Sequence, residues 1–141
     1  MLDAASSGPV YSRTPKIAQV VVEAIEYNAS VFRHYELHVF AVMPNHGHLL
    51  VTPAVPLPVL LRSLKGITAK RGNVLLERTG DRFWQEESYD RVVRNSREFE
   101  RLRFYVENHP VRAGIVEDSA AYQWSSAWGG RGSAFLFFLT K

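Results

Sequence analysis

The sequence predicts an α+β domain in which helices cover an antiparallel sheet. Three observations lead there. Ile17, Val20, Val21, Ala24 and Ile25 recur at helical spacing, and so do Leu60, Leu61, Leu64, Ile67, Leu75 and Leu76. Between these stretches, Phe32 to Met43 and His46 to Thr52 are dense in aromatic and branched residues, as strands are. Only Pro44-Asn45 separates the two runs, a link short enough for a hairpin.

Each element has a local reason. Residues 1–13 hold Ser, Gly and Pro without periodicity and are expected to form a flexible lead. Thr14-Pro15 starts a helix that runs to about Asn28, with a capping hydroxyl and a proline where no N–H is needed. After the hairpin, Pro53, Pro56 and Pro58 punctuate the exit. The second helix, Leu57 to about Arg78, sets Arg62, Lys65, Lys70 and Arg71 beside its apolar stripe, with Gly66 and Gly72 as points where it could break. Phe83 to Val93 reads as a loop and then a short strand. Ser96 is expected to cap a third helix through Asn108, with Phe99, Leu102, Tyr105 and Val106 on one side. Pro110 should end it, because the residue before a proline avoids the helical region. Tyr122 to Ser126 reads as a docking loop or short helix. The expected organisation is one domain over 14–128 and an apolar tail over 129–141.

Composition narrows the function classes. The chain has 141 residues, 46% hydrophobic and 22% charged, which suits one soluble domain with a core. It has no cysteine, which excludes disulfides and thiolate metal sites. No apolar run approaches the roughly 20 residues that span a bilayer, and Met1-Leu2-Asp3-Ala4 lacks the regions of a signal peptide. A cytoplasmic protein without a membrane partner is expected. Between Arg62 and Arg112 fall 12 of the 17 Lys and Arg residues against 8 of the 14 Asp and Glu. Nucleic acid is the polyanion such an excess commonly serves. A solvated helical surface would account for the charge alone.

Chemistry concentrates in Ala41-Val42-Met43-Pro44-Asn45-His46-Gly47-His48-Leu49-Leu50-Val51. Strand alternation puts His46 and His48 on one face and Gly47 and Leu49 on the other. Two imidazoles on one face can chelate a metal ion, though two ordinary strand histidines would show the same pattern. Tyr105 and His109, four residues apart, share a helix face. Three imidazoles would hold a metal, and a tyrosine one turn away would face it. That set suits phosphodiester chemistry. A neutral phenol is a weak nucleophile, a divalent ion on the scissile phosphate stabilises transition-state charge, and a covalent phosphotyrosine keeps the bond energy for rejoining. Arg112 and Lys65 are candidate cations by position.

These residues resemble a family. Met43-Pro44-Asn45-His46-Gly47-His48-Leu49-Leu50 is similar to the His-hydrophobic-His motif of single-tyrosine transposases, in particular the REP-associated tyrosine transposases. Phe83-Trp84-Gln85 with Tyr89-Asp90, Tyr105 through Gly114 (YVENHPVRAG) and Trp124-Ser125-Ser126 match the order of that family's later blocks. The resemblance covers roughly Ile17 to Trp128. It implies a ferredoxin-like α/β sandwich whose central antiparallel sheet carries the histidines. It also implies Mg²⁺ or Mn²⁺ as cofactor and hairpin-bearing single-stranded DNA as substrate, cut and rejoined through a 5′-phosphotyrosine. Tyr105 matches the nucleophile, His46 and His48 match two metal ligands, and His109 stands where the family's third ligand is Asn or Gln. Arg62, Lys65, Lys70, Arg71 and Arg112 are the expected DNA contacts. The resemblance leaves open whether the working unit is a monomer or a homodimer.

Three departures bear on activity. Imidazole at position 109 shifts metal preference from Mg²⁺ towards Mn²⁺, Zn²⁺ or other transition metals. Gly47 replaces a bulky apolar residue, which should weaken the strand by about 1 kcal/mol. Residues Met1 to Arg13 show no counterpart of the family's strand before the first helix, so that strand is expected to be missing. Two other functions therefore stand beside the transposase. One is an inactive, truncated or domesticated module that binds hairpin DNA, with Trp84 and Tyr89 as stacking candidates. The other is a zinc hydrolase built on the three histidines.

Overall fold

The computed structural model describes residues 2–4, 15–84, 89–90 and 92–129. Its elements run β1 (Leu2–Ala4), α1 (Pro15–Ser30), β2 (Tyr35–Met43), β3 (His46–Pro53), α2 (Leu57–Leu75), β4 (Tyr89–Asp90) and α3 (Ser96–Arg112), followed by a 3₁₀ turn at Ser119–Ala121. The strands form one antiparallel sheet in the order β2-β3-β1-β4. The expected α+β class and the hairpin both hold.

The hairpin sets the two faces of the sheet. Met43 pairs with His46 across Pro44-Asn45, and the ladder extends to Tyr35 and Pro53 with a slip between Leu37 and Val39. Because a strand alternates with period 2, Val39 and Ala41 share a face with Leu50, and there they meet Val106 of α3. Phe40, Val42, Leu49 and Val51 point the other way, into a core closed by Val21, Val22 and Ile25 of α1 and Leu60 and Leu64 of α2. The sheet is thus sandwiched, with α1 and α2 on one face and α3 on the other. His46 and His48 have the parity of Leu50, which commits them to the α3 face.

Polar ties join the layer of α1 and α2. The fully buried Asn28 donates from Nδ2 to the Ala24 carbonyl at 2.7 Å and accepts at Oδ1 from Ser63 Oγ at 2.8 Å. A buried amide left unpaired would cost a few kcal/mol, so this pairing holds α1 against α2 in one register. Helix α2 runs unbroken through Gly66 and Gly72. Gly72 is there for close approach: a Cβ on it would lie 2.5 Å from Phe83 Cε2.

Several expectations need correction. The strand before the first helix is present, as three residues, Leu2–Ala4, paired to β3 on one side and β4 on the other. Leu-Asp-Ala alternates but is only three residues long and holds no β-branched or aromatic residue, so the pairing comes from its neighbours and not from propensity. The rest of the expected lead, and residues 130–141 of the expected tail, lie outside the described residues. Asn95, not Ser96, caps α3, accepting at Oδ1 from the Glu98 N–H at 2.9 Å. Nor does Pro110 end the helix, which continues to Arg112. A proline in the last turn forfeits one backbone bond, and the turn is closed from beyond. Gly114, at φ 75°, lets its own N–H reach the Val111 carbonyl while that of Ile115 reaches Pro110, both at 3.0 Å.

Tyr122 to Ser126 is a docking segment, as one of its two readings held. β2 lies at the edge of the sheet, and an open edge invites pairing with other chains. The segment covers it: Val42 N–H donates to the Trp124 carbonyl at 2.8 Å and Ser126 N–H to the Phe40 carbonyl at 3.0 Å. Tyr122 Oη adds a bond to the Val42 carbonyl at 2.6 Å.

Candidate metal and tyrosine site

The site forms where β3 faces the C-terminal half of α3. Val106, fully buried against Val39, Ala41 and Leu50, fixes the roll of the helix on the sheet. Tyr105 precedes it and His109 follows one turn later, so both lean from the helix flank towards His46 and His48. Ring centroids are 4.5 Å apart for His48 and His109, 5.3 Å for His46 and His109, and 4.7 Å for His46 and His48. Tyr105 completes the cluster at 5.8 Å from the His48 ring and 5.6 Å from that of His109. His48 is buried and the other two histidines are half-buried.

The donor chemistry fits a metal ion. One nitrogen from each of His46, His48 and His109 lies within 4.8 Å of the other two. His46 Nδ1 lies 2.6 Å from Asn45 Oδ1, and an amide oxygen can only accept, so Nδ1 carries the proton. The lone pair of His46 is thereby left on Nε2, which faces His48 Nε2 at 3.0 Å. Two nitrogens bound at about 2.1 Å and at right angles to each other on one ion would stand about 3 Å apart. A carbonyl-type oxygen behind a ligating histidine is the usual outer-shell arrangement. Asn45 escaped the sequence reading, where it served only as a turn residue. Its signal was its place immediately before the first histidine.

Arg112 is the one expected DNA contact that joins this cluster, with its guanidinium carbon 5.2 Å from the centroid of the Tyr105 ring. Arg62, Lys65, Lys70 and Arg71 lie on α2, across the sheet from the histidines, and Arg71 pairs with Glu23 at 2.9 Å. A cavity of about 790 Å³ between α1, α2 and the docking segment, lined by Tyr27, Arg71, Trp124 and Trp128, contains none of the histidines or Tyr105.

The family described as transposase IS200-like matches residues 12–109, more than two thirds of the chain. The chain belongs to the IS200-like transposases. Among solved structures, this transposase resembles that of a REP-associated tyrosine transposase bound to a REP hairpin, with a TM-score of 0.64 and 14% identity over 89% of this chain and 72% of that one. At this identity the likeness speaks for the fold. No curated protein matches. Among the described residues of the transposase, no helix is long and apolar enough to cross a membrane.

Proposed function

We propose that this transposase binds hairpin-bearing single-stranded DNA and cuts and rejoins it through a covalent 5′-phosphotyrosine on Tyr105. The observation that carries the reading is the convergence of three imidazoles, a tyrosine and an arginine from two elements far apart in sequence. A structural histidine pair would need none of the other three.

His46, His48 and His109 would hold a divalent ion, Mg²⁺ or Mn²⁺. Bound there against a phosphate, such an ion would polarise phosphorus and take up developing charge. Tyr105 Oη attacks phosphorus and its proton passes to solvent. The P–O3′ bond breaks, and the departing strand takes a proton to leave as a 3′-hydroxyl. In the rejoining step a 3′-hydroxyl attacks the phosphotyrosine and the phenol departs. Arg112, beside the Tyr105 ring, offsets negative charge on the phosphate or the leaving phenolate. Asn45 keeps His46 in the tautomer that presents Nε2. Arg62, Lys65, Lys70 and Arg71 enter this reading as phosphate contacts remote from the reacting centre. The Arg71–Glu23 pair is half exposed and cheap to open.

The test is cleavage of end-labelled hairpin DNA with single-stranded flanks, in Mn²⁺ or Mg²⁺. Metal-dependent appearance of a free 3′-hydroxyl fragment, absent with Tyr105→Phe, is the expected result. Hairpin binding without cleavage under any metal would replace the proposal with the inactive binding module, which the three-residue length of β1 favours. Zinc-dependent cleavage that survives Tyr105→Phe would point to a hydrolase.

A further inference from the structure

α3 presents a second feature on its outward side. Arg97, Arg101, Phe104, Asn108 and Arg112 follow one another at intervals of three or four residues, which is one stripe along a helix. Arg97 and Arg101 are exposed and stand about 6 Å apart along the axis. Phe104 is 69% exposed, an unusual position for a large aromatic ring in the middle of a helix whose other face is well buried. Of the three acids of α3, Glu98 is buried and the other two pair elsewhere. Glu100 and Glu107 lie to one side of it and both pair with Arg103, at 3.9 and 2.8 Å. Among the described residues no carboxylate stands within ion-pair distance of Arg97 or Arg101. Along its other border the stripe meets Tyr105, and it ends at Arg112, whose guanidinium already lies beside the Tyr105 ring.

We propose that this stripe is the track for the single-stranded segment adjoining the scissile phosphate, with Arg97 and Arg101 on its phosphates and Phe104 stacked on one of its bases. Exposed cations alternating with an exposed ring are what a sequence-tolerant single-strand site requires, because every base offers a π-face and every nucleotide a phosphate. Continuity with the site selects the occupant. A strand laid along Arg97, Arg101 and Phe104 delivers its next phosphate to Tyr105 and Arg112. A duplex stem would present no free base face to Phe104. The inference rests on the proposed single-strand chemistry, and it adds residues that the charge on α2 did not point to.

The experiment compares binding of two DNAs, a hairpin carrying a single-stranded flank and the same hairpin blunt, by fluorescence anisotropy over a salt series. Arg97→Ala/Arg101→Ala should weaken binding of the flanked hairpin at least tenfold and reduce its log–log salt slope by about 1.4, roughly 0.7 for each lost phosphate contact. Phe104→Ala should weaken it roughly fivefold to a hundredfold with the slope unchanged. Neither variant should alter binding of the blunt hairpin. These side chains are exposed, so the helix is retained, with circular dichroism as the check. Unchanged affinity and slope for the flanked DNA in both variants would overturn the track, even if the wild-type chain cleaves. Losses confined to the flanked DNA would uphold it, even if no tyrosine adduct ever forms and the transposition reading falls. A wild-type chain that binds neither DNA would overturn both.

Discussion

His46 Nε2 stands 3.0 Å from His48 Nε2, two residues along one strand, with the His46 proton held on the opposite nitrogen by Asn45. Either the two rings share a proton or they share a cation, and the two cases differ in what metal does to the fold. Mn²⁺ should raise the unfolding temperature, by the equivalent of about 2.7 kcal/mol at a hundred times its Kd. His48→Ala should abolish the shift. Mg²⁺ should bind more weakly than Mn²⁺ because all three donors are imidazoles, and His109→Gln should narrow that difference. Calorimetric titration with each metal alone provides the comparison.

Asn45→Ala removes the oxygen that sets the His46 tautomer. Metal affinity should fall by about tenfold to a hundredfold, the usual cost of losing such an outer partner, while stability without metal changes little. Equal Mn²⁺ affinity in the variant, measured by the same titration, would remove Asn45 from the site.

Glycine substitutions should move stability in opposite directions. A Cβ on Gly47 would meet only the Ala41 carbonyl oxygen, at an ordinary 3.9 Å. Gly47→Ala should therefore stabilise by roughly 0.5–1 kcal/mol, through a less mobile unfolded chain. The room beside Gly47 is already there, so the weakness expected from the sequence is recoverable without repacking. Gly72→Ala drives a methyl into the buried Phe83 ring, and should destabilise by about 1–3 kcal/mol. Urea midpoints at constant slope would read both.

Burial pushes the Tyr122 phenol up to about 12, above an ordinary value near 10, and raises Tyr35 as well. Between those values the folded chain keeps a proton that the unfolded chain has lost. The contribution to stability is therefore complete below about pH 10 and drains away as pH rises towards 12. Tyr122→Phe should cost about 1 kcal/mol at neutral pH, from the lost bond to the Val42 carbonyl, and should make the alkaline decline shallower. Urea melts at pH 7 and pH 11 test both parts.

The contrast between β3 and β1 explains what could be read from sequence. Strand alternation alone put His46 and His48 on one face, and helical spacing alone joined Tyr105 to His109, because both periods are local properties of the backbone. That the two pairs meet depends on Val106 docking against Leu50, a contact no local pattern encodes; the resemblance to a family supplied it. Leu2–Ala4 was invisible for the converse reason, being three residues recruited by the strands on either side. Pro110 misled because its usual penalty falls mostly on a helix interior, and here the helix has one short stretch left, closed by Gly114. The cations of α2 were countable, but which side of the sheet they occupy follows from Leu60 and Leu64 packing with α1.

The most direct test is the mass of the covalent product. After incubation of the full chain with flanked hairpin DNA and Mn²⁺, denaturation, nuclease trimming and peptide mapping should find a nucleotide phosphate on the peptide that contains Tyr105, and none in the Tyr105→Phe chain. A phosphotyrosine at another residue, or an adduct that persists in Tyr105→Phe, would contradict the assignment of the site.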